Sequence, residues 1–395
     1  MNRIKIIADD KIPFLKGVLE PYADVTYLPG NRISKESAMN ADALLIRTRT
    51  RCDAALLEGT AVKFIATATI GCDHIDADYC KLNDITWVNA PGCNSSSVQQ
   101  YITSALLTLA QNHHFSLSEM TLGIIGVGNV GSKIQKAANL LGMKVKLNDP
   151  PRARKEGSAG FVSLDEILET CDIITLHVPL IREGEDKTFH LFDSTLFGKI
   201  REGAWLINSS RGEVVNTIAL RTALTAGRLK GAVLDVWENE PDIDLDLLSQ
   251  VTISTPHIAG YSVDGKANGT AMIVQALSWF FGLPLVDFYP PSLPAASDPI
   301  IEIDGTGKSR QQIIHEAVMH TYAIMEDHNR LQLSPGTFEQ QRGNYPVRRE
   351  FGAYVINLSN TQRGAADILE KLGFRIENKK IVTGLNLLTR NKKRS

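Results

Sequence analysis

The segment TLGIIGVGNVG, Thr121–Gly131, decides the fold of this chain. Its first half is a largely apolar run typical of a buried strand, and its second half matches G-x-G-x-x-G. In that pattern the first glycine permits a tight turn, the second lets the backbone approach a pyrophosphate, and the third allows a helix to pack closely on the strand. The segment therefore predicts a strand, a turn and a helix whose free N–H groups bind an anion.

The residue that selects the dinucleotide lies at the end of the next predicted strand. Asp149 follows the last glycine by about 20 residues, where a carboxylate accepts hydrogen bonds from the adenosine ribose and repels a 2′-phosphate. Arg152, three residues further along, would instead favour the 2′-phosphate of NADP. The alternative is a glycine turn in an unrelated α/β fold without a ligand. We predict NAD as the cofactor, bound by Gly126, Gly128, Asn129, Val130, Gly131 and Asp149.

The rest of the chain extends the strand–helix pattern in both directions. The alternation covers residues 3–90 and 121–254, which is typical of parallel sheets covered on both faces. Four prolines between residues 284 and 294 then predict a linker. The prediction is an α/β fold with two doubly wound, Rossmann-like parallel-sheet domains and a small C-terminal α+β domain. Among the helices, we expect Pro13–Leu19, Val98–Asn112 and Arg310–His328.

Composition and charge exclude several classes of function. The 395 residues carry a formal net charge of −2, which gives no general attraction for nucleic acid or an anionic membrane. No stretch approaches the roughly 18 apolar residues that span a bilayer, and Asp9 and Asp10 interrupt the apolar N-terminus before a signal peptide could form. The five cysteines have no metal-binding spacing. We therefore expect a cytoplasmic protein without a metal site.

Three polar segments follow predicted strands of the second unit, where ligands of open α/β sheets bind. They are NSSRG (Asn208–Gly212), DVWENEP (Asp235–Pro241) and TPHIAGY (Thr255–Tyr261). Taken singly, each segment has an ordinary alternative: Arg211 could be a surface arginine, Glu240 a solvated glutamate and His257 a structural histidine. Together they supply a base for a hydroxyl proton, a carboxylate that orients the imidazole, and a planar cation for a carboxylate. We predict these roles for His257, Glu240 and Arg211, respectively, with Asp235 near the nicotinamide.

In this order, GVGNVG, NSSRGEVV, VLDVWENEP and TPHIAGY resemble the D-isomer-specific 2-hydroxyacid dehydrogenases. The resemblance implies NAD-dependent oxidation of a 2-hydroxy acid. It also implies that residues 1–95 and 258–285 form a substrate-binding domain, residues 96–257 the NAD-binding domain, and residues 286–395 a domain that makes the protein a homodimer. The further NAD contacts that it implies are Ser209, Ser210, Arg211, Asp235 and Gly260.

Four further stretches narrow the resemblance to one branch of that family, whose substrate is a small phosphorylated 2-hydroxy acid. The branch implies substrate contacts at Thr48, Thr69 and Tyr261, with Thr48 in place of an expected serine. Val178 stands in place of an expected threonine, so we assign no NAD contact there. The four stretches are TATIGCDHID (Thr67–Asp76), APGCNSSSV (Ala90–Val98), PHIAGYSVDGKANGT (Pro256–Thr270) and NYPVRREF (Asn344–Phe351).

A substrate phosphate requires cations. Arg47 is the first candidate, because it adjoins Thr48 and arginine offers bidentate geometry to phosphate. Arg348 and Arg349 are the second, and they would matter most if the C-terminal domain reaches a neighbouring active site. The alternative for this pair is a solvated charged surface.

Two competing functions remain open at this point. The same three catalytic residues would serve sibling enzymes, such as a 3-phosphoglycerate dehydrogenase or a glyoxylate/hydroxypyruvate reductase. A protein of this fold can also bind NAD as a sensor without catalysis, since fold does not fix function. The region around Tyr261 and the final domain distinguish the siblings, and turnover distinguishes the sensor.

Overall fold

The structure is a computed structural model that describes residues 3–360 and 364–377. Within those residues the chain forms three sheets, in which all the strand pairs are parallel. The α/β fold predicted from the sequence, with two Rossmann-like sheets and a smaller C-terminal sheet, is confirmed. Residues 378–395, which the sequence assigned to the C-terminal domain, lie outside the described residues.

The first sheet has the strand order β2-β1-β3-β4-β5. Alternate residues of its strands enter two different cores, so that Ile7 and Leu44 pack on one face and Ile6 and Leu45 on the other. Because both faces are buried, its strands are apolar runs rather than alternating ones. The elements of this part are β1 (Ile4–Asp9), β2 (Ala23–Leu28), α1 (Lys35–Ala38), β3 (Ala43–Ile46), α2 (Ala54–Leu57), β4 (Phe64–Thr67), α3 (Ala77–Leu82), β5 (Thr86–Val88) and α4 (Ser95–Asn112).

The second sheet has the order β11-β10-β9-β8-β6-β7 and is likewise covered on both faces. The strand predicted from Thr121 onwards is β6, at an interior position of this sheet. The elements are β6 (Thr121–Ile125), α5 (Asn129–Leu140), β7 (Lys144–Asn148), α6 (Pro150–Glu156), α7 (Leu164–Thr170), β8 (Ile173–Leu176), α8 (Ser194–Lys199), β9 (Ala204–Asn208), α9 (Thr217–Thr225), β10 (Leu229–Leu234), α10 (Leu245–Gln250), β11 (Ile253–Ser254) and α11 (Val263–Phe281).

The C-terminal part is packed onto the second sheet rather than separate from it. Its sheet has the order β12-β13-β14, and residues such as Ile303 and Ile313 share one continuous core with Leu106 of α4 and Ile124 of β6. Its geometry therefore depends on the rest of the chain. The elements are β12 (Ile300–Asp304), α12 (Arg310–Thr321), α13 (Ile324–Leu333), α14 (Phe338–Gly343), β13 (Val355–Ser359), α15 (Ala365–Leu372) and β14 (Arg375–Glu377).

Two long helices connect the first two sheets. The 18-residue helix α4 leaves the first sheet and is buried along most of its length, because helices of the second and third parts cover it. Helix α11 returns the chain, and its residues Ile273, Val274 and Leu277 pack against the first sheet. No helix among the described residues has the length and apolar character needed to cross a membrane.

One predicted helix is wrong, and another is divided into two helices. Pro13–Leu19 forms successive turns, because Phe14 and Gly17 have φ of 60° and 84°, values that a right-handed helix excludes. Leu15 and Leu19 are nevertheless buried, so the turns reproduce a helix-like apolar spacing. Arg310–His328 is interrupted at Tyr322, whose extended backbone lets its carbonyl accept a hydrogen bond from the Ser104 hydroxyl at 2.9 Å.

Candidate active site

The second sheet places its glycine loop at the point where the chain order reverses. In the order β11-β10-β9-β8-β6-β7 this point lies between β6 and β8. Connections that leave these strands in opposite directions open a crevice at their carboxyl ends, and open α/β sheets bind ligands there. The loop Gly126–Gly131 follows β6 and Asp149 follows β7, so both predicted cofactor segments lie at this crevice.

Glycine is present at each of the three positions of the loop for a different structural reason. Gly126 has φ of 86°, and a Cβ placed on it would lie 2.6 Å from the carbonyl oxygen of His177. A Cβ on Gly131 would lie 2.1 Å from the carbonyl oxygen of Gly126, so the helix packs on the turn only without a side chain. A Cβ on Gly128, the N-cap of α5, would meet no atom within 4 Å. The space beside Gly128 fits a pyrophosphate at the helix N-terminus.

Asn129 and Val130 form the first turn of α5, where backbone N–H groups have no acceptor within the helix. The Asn129 side chain lies against Gly92, and Val130 packs against the hydrophobic core. Asn129 is exposed and Val130 is half-buried, and the N–H groups of both are suited to a phosphate oxygen.

Asp149 joins the glycine loop to the next strand. Its carboxylate accepts hydrogen bonds from the N–H of Val127 at 2.8 Å and from the N–H of Arg152 at 3.0 Å. The Arg152 guanidinium, in turn, binds Glu156 through two hydrogen bonds of 2.6 and 2.9 Å and donates to the Val127 carbonyl. Because Arg152 is neutralised by Glu156, it is not free to pair with a 2′-phosphate, and the geometry fits NAD.

The far wall of the crevice contains Ser209, Ser210 and Gly260. The Ser209 hydroxyl is buried and has no hydrogen-bond partner among the described residues, so it is suited to a ligand. The Ser210 hydroxyl donates to Asn208 Oδ1 at 2.8 Å. A Cβ on Gly260 would lie 2.0 Å from Asn94 Nδ2, so only glycine permits this approach of the loop to the start of α4.

Asp235 organises the loop that contains the predicted base. Its Oδ1 accepts hydrogen bonds from the Thr255 hydroxyl at 2.6 Å and from the N–H of Ile258 at 2.8 Å, and its Oδ2 accepts from the N–H of Ala259 at 2.9 Å. The residue is only 1% exposed, and this burial raises its pKa in spite of the hydrogen bonds. Since Oδ2 has one donor within the part of the chain that the structure describes, it keeps an acceptor position for a nicotinamide carboxamide.

His257 and Glu240 form a hydrogen-bonded pair. His257 has φ of 56°, and its Nδ1 lies 2.7 Å from Glu240 Oε2, while Glu240 Oε1 accepts from the N–H of Trp237 at 2.9 Å. Burial by itself would raise the pKa of Glu240, but the charge and hydrogen bond of His257 lower it below its ordinary value. The Glu240 side chain is 18% exposed and that of His257 is 31% exposed. A buried anion thus fixes the imidazole and leaves Nε2 available for a substrate hydroxyl.

Arg211 spans from the second sheet to the first. Its Nη1 donates to the Ser210 carbonyl at 2.8 Å, and its Nη2 lies 3.3 Å from Asp73 Oδ2. A Cβ on Gly71 would lie 2.2 Å from Arg211 Nη2, so a side chain at residue 71 would displace the end of the guanidinium. The sequence analysis did not identify Gly71 or Asp73 as site residues, although both belong to the quoted stretch TATIGCDHID.

A cavity of about 860 Å³ lies between the strand ends of the first two sheets. Arg211, Glu240 and His257 line it together with Asp73. On the side of the first sheet, the Thr69 hydroxyl lies 2.7 Å from that of Thr67 and donates to the Gly71 carbonyl. Thr48 is exposed, and its hydroxyl makes no hydrogen bond within the described residues.

The arginines predicted to bind phosphate differ in their environments. Arg47 is half-buried, and among the described residues its guanidinium makes one hydrogen bond, of 3.4 Å, to the Lys11 carbonyl. Arg348 is 4% exposed and donates from Nη2 to the Ala259 carbonyl, but its Nε and Nη1 have no partner in the described ranges. The Arg349 guanidinium is bound by Asp264 at 2.9 and 3.0 Å, and its role toward a substrate phosphate stays a prediction.

The comparisons with known proteins agree with this geometry. The family model for the D-isomer specific 2-hydroxyacid dehydrogenase NAD binding domain matches residues 97–259, and a model described as a domain of unknown function matches residues 293–373. A D-lactate dehydrogenase of Aquifex aeolicus, solved with NAD and lactic acid, is 26% identical with a TM-score of 0.59, over 71% of this chain and 96% of its own. The fold and the site thus define an NAD-dependent dehydrogenase of the D-2-hydroxyacid class.

Relatives of higher identity narrow the class. An erythronate-4-phosphate dehydrogenase of Bacteroides fragilis is 52% identical over 354 residues, which cover 89% of this chain and 99% of that protein. One from Porphyromonas gingivalis is 41% identical over 94% of this chain and its own full length, and one from Klebsiella pneumoniae is 40% identical over 94% and 98%. The chain belongs to the erythronate-4-phosphate dehydrogenase family.

Proposed function

We propose that this protein oxidises 4-phospho-D-erythronate to 2-oxo-3-hydroxy-4-phosphobutanoate with NAD. The single observation that supports the chemistry best is the hydrogen-bonded pair His257–Glu240, which lines one cavity together with Arg211. The relatives named erythronate-4-phosphate dehydrogenase support the choice of substrate. The reaction would be a step in the synthesis of pyridoxal 5′-phosphate (vitamin B6), in the cytoplasm.

Arg211, His257 and Glu240 have different roles in the proposed reaction. Arg211 binds the substrate carboxylate and polarises the C2 oxygen as its double bond forms, because a guanidinium offers a planar pair of donors. His257 Nε2 takes the hydroxyl proton, and the Glu240 carboxylate stabilises the resulting imidazolium. NAD, when bound, accepts the hydride from C2. The proton and the two electrons removed from the substrate are thereby both accounted for.

The residues present fit the cofactor. Gly126, Gly128 and Gly131 leave room at the N-terminus of α5, Ser209 offers an unpartnered hydroxyl, and Asp149 provides a carboxylate for the ribose. We therefore assign NAD binding to the glycine loop with Asn129, Val130, Asp149, Ser209, Ser210, Arg211, Asp235 and Gly260.

The substrate would lie between the two sheets, with contacts from both. Thr48, Thr69 and Tyr261 are its proposed contacts, and Arg47 and Arg348 are the proposed cations for its phosphate. In this proposal residues 1–95 and 258–285 bind the substrate, residues 96–257 bind NAD, and residues 286–395 make the homodimer. Sedimentation at micromolar concentration should give a dimer, and a monomer would contradict the last assignment.

The test is a comparison of substrates. The purified protein, supplied with NAD and a 2-oxo acid as a further hydride acceptor, is assayed with 4-phospho-D-erythronate and with 3-phospho-D-glycerate, and the oxidised product is quantified. We expect kcat/KM to favour the erythronate by more than about tenfold, which corresponds to roughly 1.4 kcal/mol of transition-state discrimination. Preference for the glycerate would assign the chain to a sibling enzyme, and turnover of neither would favour an NAD-sensing protein.

A further inference from the structure

Lys266 is a lysine without an anionic partner among the described residues. It is the fourth residue of α11, and its ammonium lies over the ring of Tyr261, 4.9 Å from the ring centre. The side chain is half-buried and makes no hydrogen bond or ion pair with any residue in the described ranges. Removing an ammonium from water costs free energy unless an anion compensates it, so this arrangement is unfavourable until an anion binds.

The surroundings of Lys266 increase this cost. Burial lowers the pKa of Lys266, and the positive charges of Arg47 and Arg348 lower it further. Neither arginine has a carboxylate within ion-pair distance among the described residues, and Arg348 retains two buried N–H groups without a partner. Three cations from three separate parts of the chain therefore lie near one another; the charges of Asp327 and Asp235 act on Arg348, whereas Lys266 is affected by the two arginines alone.

A second cation over the Tyr261 ring provides a contrast. The Arg342 guanidinium lies 5.7 Å from the ring centre, but it binds Glu339 at 2.8 Å and is close enough to Glu240 to interact with its charge. Arg342 therefore has anionic partners, whereas Lys266 has none among the described residues. Both cations contact the ring of Tyr261, which follows His257 by four residues.

We propose that Lys266 binds the phosphate group of the substrate, beside Arg47, and selects a phosphorylated hydroxy acid over an unphosphorylated one. This inference rests on the proposed function. A phosphate monoester carries close to two negative charges and three acceptor oxygens, which one arginine alone does not satisfy. An ammonium with three donors and no competing carboxylate complements it.

The test is Lys266→Met, which keeps an unbranched apolar stem over Tyr261 and removes the charge. We expect KM for 4-phospho-D-erythronate to rise about 30-fold, since a hydrogen bond to a charged group is lost, while kcat stays within about threefold. The matched control is Lys230→Met, because Lys230 also lies over an aromatic ring, at 5.7 Å from Trp205, but on the surface. That variant should keep the wild-type KM, and Lys266→Arg should recover most of the loss.

A second readout is independent of turnover. Calorimetric titration of the NAD-loaded protein with inorganic phosphate should give a Kd about tenfold weaker for Lys266→Met than for wild type. Equal losses on 4-phospho-D-erythronate and unphosphorylated D-erythronate, or an unchanged phosphate Kd, would overturn the inference. If circular dichroism shows that Lys266→Met does not fold, Lys266→Gln is measured in the same way. Failure of the wild type to oxidise the substrate would contradict the proposed function instead, and the phosphate titration would still decide the role of Lys266.

Discussion

The substitution Glu240→Gln examines the pair on which the proposed chemistry depends. In the structure Glu240 Oε2 lies 2.7 Å from His257 Nδ1, and Oε1 accepts a hydrogen bond from the N–H of Trp237. Glutamine has the same shape, and its carbonyl can keep the bond to Trp237. The other terminal atom then becomes an NH2 group, which donates to Nδ1 instead of accepting from it. The imidazole proton is thereby moved to Nε2, the atom that has to receive the substrate proton.

Two effects determine how far kcat falls in Glu240→Gln. The charge-assisted hydrogen bond that stabilises the imidazolium contributes about 1.5–3 kcal/mol, or roughly 10- to 150-fold in rate. The wrong tautomer adds to this, since the corresponding carboxylate-to-carboxamide change in a Ser-His-Asp triad lowers kcat about 10⁴-fold. We therefore expect kcat of Glu240→Gln to fall by about 10²- to 10⁴-fold, with little change in KM.

Stopped-flow or steady-state formation of NADH over pH 5–9 measures both consequences. The acid limb of the kcat/KM profile should move to lower pH, because the imidazolium has lost its counter-charge. The control is Glu238→Gln, since Glu238 also holds a histidine, His190, at 2.6 Å; its kcat should stay within about threefold. A Glu240→Gln enzyme whose kcat is within fivefold of wild type, with an unmoved profile, would refute the reasoning.

Three further substitutions test other parts of the site. Gly131→Ala places a Cβ 2.1 Å from the Gly126 carbonyl oxygen. The free energy of unfolding, measured in urea, should therefore fall by about 1–3 kcal/mol, and the Kd for NAD should rise. Unchanged values of both would contradict the close packing. Asp149→Ala should raise the ratio of kcat/KM for NADP over NAD at least tenfold, and an unaltered ratio would show that Asp149 does not select the cofactor. Burial lowers the pKa of His177 to about 3, so its imidazole stays neutral in the native protein. In the unfolded chain the same imidazole takes up a proton near pH 6.5. The free energy of unfolding should therefore fall by about 1 kcal/mol more for wild type than for His177→Gln between pH 7.5 and 5.5, and parallel losses would contradict that shift.

The elements that the sequence predicts well are those that local rules determine. The glycines of Thr121–Gly131 follow from backbone sterics within one turn, and Arg211, Glu240 and His257 each follow a strand whose apolar pattern is evident. Because parallel strands of one sheet end at the same edge, three residues that are distant in sequence can be expected to converge.

The remaining features depend on contacts that no local pattern encodes. Asp73 lies beside Arg211, which belongs to a separate sheet, and Gly71 leaves space for the guanidinium there. Glu350, in the C-terminal part of the chain, accepts hydrogen bonds from the hydroxyls of Ser97 and Ser262, at the starts of the two connecting helices, and its neighbour Arg349 pairs with Asp264.

The central claim is that hydride leaves C2 of a phosphorylated hydroxy acid for NAD in this cavity. It is tested most directly with 4-phospho-D-erythronate deuterated at C2, incubated with the purified protein and NAD, followed by mass spectrometry of the reduced dinucleotide. We expect wild type to form NADH that carries one deuterium from the substrate, and His257→Asn to lose this activity. Reduced dinucleotide without deuterium, or equal formation by the His257→Asn enzyme, would contradict it.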